Sequence, residues 1–95
     1  MAVANEINRQ IGNRAFTMMG AKHKFGIENG LQFKIGRNSK KINFVKVTLN
    51  DSDLYDIEFG TIRNLDYTIK KTENDIYADM MHQTIEQNTG LYLSL

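Results

Sequence analysis

The chain has no cysteine and no proline. Without cysteine there is no disulfide and no thiolate chemistry, and the composition fits a reducing compartment. No function follows from the missing proline. No run of about 18 apolar residues occurs, so nothing reads as a membrane span. The opening MAVANEINRQ lacks a basic n-region leading into an apolar stretch, which predicts no secretory signal. Internal repeats and low-complexity tracts are missing too.

What is present is ordinary in amount and uneven in placement. The 95 residues are 41% hydrophobic and 24% charged, which is the balance of a folded globular chain and predicts one domain over residues 1–95. A chain of this length closes a modest core and has little stability to spare for a large cleft. The net charge of +1 hides a polarity along the sequence. Residues 22–46 carry Lys22, Lys24, Lys34, Arg37, Lys40, Lys41 and Lys46 against Glu28. Residues 51–95 carry Asp51, Asp53, Asp56, Glu58, Asp66, Glu73, Asp75, Asp79 and Glu86 against Arg63, Lys70 and Lys71. Such a split marks two differently charged surfaces unless adjacent strands interleave the signs.

The hydrophobic pattern predicts an α+β fold. Val3, Ile7 and Ile11 form one helical stripe, and Gly12 suits the left-handed residue after a helix. Arg14 to Met19 alternates loosely and predicts a strand; Gly20 and Gly26 bracket a bend or bulge at AKHKF. Asn29-Gly30 between Phe25/Ile27 and Leu31/Phe33 is a hairpin signal. Three half-buried strands follow from the alternation of Leu31, Phe33 and Ile35, of Val45, Val47 and Leu49, and of Tyr55, Ile57 and Phe59. Gly60 predicts a bulge that returns Ile62 to the buried side, and Tyr67 and Ile69 a further short strand. Thr72 to Asp75 reads as the cap of a helix whose stripe is Ile76, Tyr77, Met80, Met81 and Ile85. Gly90 would end it, with Leu91, Leu93 and Leu95 returning to the core. The expected architecture is an antiparallel sheet of four to five strands with an N-terminal and a C-terminal helix packed on one face. The other face, with Gln32, Lys34, Lys46, Thr48, Asp56 and Glu58, is left for water, a partner or a homodimer seam.

Candidate chemistry is sparse. Asp79, His82 and Glu86 share a helix face, but a zinc site needs further convergent ligands and the other histidine, His23, sits in a basic segment; a solvated face is expected. DSDLYD at residues 51–56 resembles the start of a calcium loop, yet Asp56 and Ile62 stand where glycine and a bidentate glutamate are required. Neither Gly20 to Gly26 nor Gly36 to Lys40 is followed by the Lys-Ser/Thr pair that opens the helix of a phosphate loop. No residues suggest a nucleophile with its base. The reading is therefore a non-enzymatic protein with no cofactor and no metal.

Lys22, His23, Lys24, Arg37, Lys40 and Lys41 remain, with Phe44 on the non-core side of its strand. Cations for phosphates and an aromatic ring for a base make a simple nucleic-acid footprint. Lysines at hairpin tips also block edge-to-edge aggregation, so a partner contact and a solvated turn stay open as alternatives. The acidic half has its own two readings, a solubilising surface or a carboxylate imitation of a phosphate backbone.

Several blocks together carry a resemblance: GNRAF at 12–16, LQFKI at 31–35, VKVTL at 45–49, LYDIEFG at 54–60 and TGLYLSL at 89–95. They resemble small proteins encoded by bacteriophages, prophages and other mobile elements. The resemblance implies a protein acting in the cytoplasm of a host bacterium by binding a host protein or a protein–nucleic-acid complex, including inhibition of a host defence system in the manner of anti-CRISPR proteins. It implies no site residue.

Overall fold

The apolar alternation at residues 31–35, 45–49 and 55–59 is met by real strands in the computed structural model, which describes residues 2–93. The elements are α1 (Ala2–Ile11), α2 (Asn13–Met19), β1 (Lys22–Ile27), β2 (Gly30–Lys34), β3 (Phe44–Leu49), β4 (Tyr55–Arg63), β5 (Asp66–Ile76), a 3-10 turn (Ala78–Met80) and α3 (Met81–Thr89). The five strands pair antiparallel in chain order, β1-β2-β3-β4-β5. This is the α+β fold that the pattern predicts, with helices from both ends of the chain contributing to the core on one sheet face.

The core is built from the inward sets of β2, β3 and β4, Leu31, Phe33, Val45, Val47, Tyr55, Ile57 and Phe59, against helical Ala4, Ile7, Ile11, Phe16, Met19, Met81 and Ile85. Phe16 and Phe33 meet edge to face at 5.2 Å and 87°, the arrangement that the ring quadrupole favours. His82 on α3 contacts the Ile11 carbonyl at 2.7 Å through Nε2, so its imidazole N–H ties the last helix to the end of the first. No helix among the described residues is long and apolar enough to cross a membrane.

Two segments differ from the sequence reading. Residues 14–19 are helical, not extended. Ala15, Phe16 and Met19 are buried, an i, i+1, i+4 set, whereas a strand would have buried Arg14 with Phe16 and Met18. Gly20 closes this helix at φ 65°, with the Ala21 N–H reaching the Phe16 carbonyl at 2.9 Å. Residues 72–76 are strand, not the opening of the last helix. Thr72, Glu73 and Ile76 pair with Glu58, Ile57 and Tyr55, so the sheet supplies the backbone partners that a helical first turn would lack. The helical stripe shrinks accordingly: Met81 and Ile85 are buried, while Tyr77 and Met80 are exposed. Gly90 ends α3 at φ 77° and Leu93 is buried; Leu95 lies outside the described residues.

The bulge expected at Gly60 is present in the β4–β5 pairing, but on the partner strand, and it does not bury Ile62. The register along β4 runs without an inserted residue there; the extra residue opposite it is Lys70 on β5. Ile62 is half-buried on the outer face, outside the core. A side chain at Gly60 would collide with the Thr68 carbonyl and lie 2.9 Å from the Tyr67 ring. The missing side chain lets Tyr67 reach across β4 to Phe44 on β3, where the rings meet at 5.0 Å and 72°.

The β4–β5 turn holds Asn64 and Leu65 at φ 51° and 73°, with Leu65 98% exposed. A left-handed leucine costs roughly 1–2 kcal/mol, and this one has almost no burial to offset it. Leu65→Gly relieves that strain against about 0.5–1 kcal/mol of added chain entropy. The expected outcome in a thermal melt is a Tm higher by about 2–8 °C.

Candidate functional site

Strand direction sorts the charges. In the meander, the start of β1, the β2–β3 loop and the β4–β5 turn lie at one end of the sheet; the β1–β2 and β3–β4 turns and the end of β5 lie at the other. The first end therefore gathers Lys22, Lys34, Arg37, Lys40, Lys41 and Arg63, with Asp66 as its acid. The second gathers Glu28, Asp51, Asp53, Asp56 and Asp75. Signs interleave midway, where Lys46 pairs with Glu58, and at the β4–β5 turn, where Arg63 pairs with Asp66.

At the basic end the 35–43 loop is held, not loose. Asn38 Nδ2 donates to the carbonyls of Gly36 and Ile42 at 2.8 and 2.5 Å, and its Oδ1 accepts from the Ile42 N–H at 3.1 Å. The Gly36 N–H donates to the Met19 carbonyl at 2.8 Å, fixing the loop to the end of α2. Asn43 bonds both backbone groups of Ile62, accepting at 2.8 Å and donating at 3.1 Å. This last bracket brings Arg63 beside the loop. A cleft of about 500 Å³ results, lined by Ile35, Gly36, Arg37, Asn38, Lys41, Ile42, Asn43 and Arg63. Arg37, Lys41 and Arg63 supply its charge, and all three are exposed. Among the described residues the ion pair is Arg9–Glu6 on α1, which leaves these cations available to an outside anion.

The seven residues singled out in the sequence divide. Lys22, His23, Arg37, Lys40 and Lys41 are brought to the basic end and are exposed; His23 sits at φ 56° in the β1 irregularity between Lys22 and Phe25. Lys24 lies on the helix side, its Nζ 4.4 Å from the Phe16 ring centroid and 3.2 Å from Asn8 Oδ1. Phe44 is on the non-core face as expected, but Tyr67 covers it and it is only 6% exposed. A base cannot stack on it. Burial, followed by the Glu58 carboxylate that accepts from its hydroxyl at 3.2 Å, pushes the Tyr67 phenol up to about 12.

Two residues of the site escape the sequence reading. Arg63 falls in the acidic half of the chain and joins the basic cleft only through topology. Phe25, read only as a hairpin flank, is 63% exposed and pairs with Gln32.

The other candidate chemistries dissolve into structure. Glu86 accepts from the Leu93 N–H at 2.9 Å and His82 is engaged by Ile11, so the α3 face holds the fold; no metal-binding group of three occurs among the described residues. The calcium-like stretch is a turn organised by Asn50, which accepts from the N–H groups of Ser52 and Leu54 and donates to Asp56 and Asp75. Those two carboxylates serve the acidic end's own architecture. Comparison with known protein families, with curated proteins and with solved structures finds no match to this chain.

Proposed function

We propose that this protein is a non-enzymatic binding protein whose basic end grips the phosphate backbone of nucleic acid. The observation that carries the reading is the cleft where Arg37, Lys41 and Arg63 converge without ion-pair partners among the described residues. Lys22, Lys34 and Lys40 extend the positive surface beyond it. Guanidinium groups suit phosphate because their planar fork donates two parallel bonds. The hydrogen bonds of Asn38 and Asn43 hold the backbone of the cleft in place, so binding orders few groups. The resemblance to phage-borne proteins makes the partner, on this reading, nucleic acid of a host bacterium, free or within a defence complex that the protein would inhibit.

Fluorescence anisotropy with a labelled 20-nucleotide strand and its duplex between 50 and 200 mM salt tests the proposal. Counterion release gives a slope in log K against log salt of about −0.9 per phosphate contact on duplex and about −0.7 on single strands. Contacts from the three cleft cations and one flanking lysine predict slopes of about −3.6 and about −2.8. Absence of binding at 50 mM salt, or binding indifferent to salt, would sink the proposal.

A further inference from the structure

We infer that the open face of the sheet is a platform for single-stranded nucleic acid, with Phe25 as the ring on which a base stacks. The inference rests on the phosphate-binding reading above and adds the class of nucleic acid. The direction of Phe25 follows from its neighbours. A side chain at Gly26 would point at Ala4 of α1, 3.2 Å away, and Lys24 contacts Phe16 and Asn8 on the helix side. Phe25, between them in β1, therefore faces away from the helices. Its pairing partner Gln32 lies between the core residues Leu31 and Phe33, which places both on the outer face.

The same face carries the charge that a nucleic-acid strand needs. Gln32 pairs onward with Lys46, which stands opposite Glu58; Lys34, two residues along β2 and opposite Phe44, points to the same side toward the basic end. Lys22 is the register partner of Lys34. Like charges directly opposite each other are unfavourable in a bare sheet, and a bridging phosphate would reverse the sign of that interaction. From Phe25 to Lys46 is two strand spacings, roughly 10 Å. A flexible single strand crossing this face can stack one base on Phe25 and pass its phosphates to Lys34 and on to the cleft. A duplex keeps its bases stacked on each other and offers Phe25 nothing. A single exposed aromatic is ordinary on any surface; a ring on the same strand pair and face as Lys22 and Lys34, which have no acid opposite them, is the combination that base stacking uses.

The chain contains no tryptophan, so Phe25→Trp supplies a single reporter on the platform. Binding of labelled (dT)20 and of a 20-base-pair duplex to the full chain, to Phe25→Ala and to Phe25→Trp is the experiment. Phe25→Ala is expected to lose at least ~5-fold in affinity for (dT)20 with duplex affinity unchanged, and Phe25→Trp emission is expected to be quenched by (dT)20. If Phe25→Ala binds (dT)20 as tightly as the natural chain, the platform is wrong while the basic-end reading stands. Equal losses for strand and duplex would overturn it as well. If neither nucleic acid binds, both readings fall together. Sedimentation that reveals a dimer lost in Phe25→Ala, with no quenching of Phe25→Trp, would make this face a seam between two copies instead.

Discussion

Replacing Phe33 with alanine is expected to cost roughly 3–5 kcal/mol, a substantial share of the stability of so short a chain. Phe33 has no exposed surface. It stands in β2 beneath α1 and α2 and supplies one ring of the Phe16–Phe33 edge-to-face pair. Truncation removes the transfer free energy of the ring and leaves a void that strands β2 and β3 cannot close, because their backbones are held in register on both sides. The whole stability of a 95-residue chain is about 5–14 kcal/mol, so the loss is between a fifth and all of it. Urea unfolding followed by far-UV circular dichroism measures this as a fall in midpoint with the slope preserved. Phe25→Ala is the control. Its ring is 63% exposed, so the change should stay within about 0.5 kcal/mol. A Phe33→Ala protein as stable as Phe25→Ala would mean that the core is not where the strand alternation and burial put it.

The strands were legible because one-sided burial imposes period two, and Leu31-Gln32-Phe33 or Val45-Lys46-Val47 cannot satisfy that pattern in another way. β5 was legible only in part for the complementary reason. It is an edge strand, exposed along most of its length, so nothing forces its residues to alternate, and Thr72-Glu73-Asn74-Asp75 shows only its resemblance to a helix cap. α2 is not legible as a helix because its seven residues are under two helical turns, too short for Ala15, Phe16 and Met19 to show a period distinct from an irregular strand.

The candidate surface is half legible by the same physics. Lys40 and Lys41 announce themselves as a local cluster. Arg63 does not, since only the antiparallel return of β4 and the Asn43–Ile62 bonds bring it to the loop. The burial of Phe44 is not legible, because its coverage depends on two distant residues, the side-chain gap at Gly60 and the ring of Tyr67. Periodicity reports which face a residue takes. It does not report what else reaches over that face.

Topology therefore decides which cations act together, and this separates the natural candidates for mutagenesis. Lys40→Glu with Lys41→Glu reverses the charge that the sequence displays most openly, and it should weaken binding sharply. Arg37→Gln, Lys41→Gln and Arg63→Gln together neutralise the charged lining of the cleft, and the proposed reading assigns them the larger share of the phosphate contacts. If each contributes one contact to duplex, the salt slope becomes shallower by about 3 × 0.9, or roughly 2.7. At 0.1 M salt the same counterion arithmetic gives a loss of about 500-fold in affinity. The three side chains are exposed, and the loop is framed by Asn38 and Asn43, so the variant should melt within a few degrees of the natural chain. Anisotropy titrations at four or five salt concentrations measure both quantities at once. A slope unchanged in the triple variant but flattened by Lys40→Glu and Lys41→Glu would move the phosphate path out of the cleft and onto the loop's outer edge.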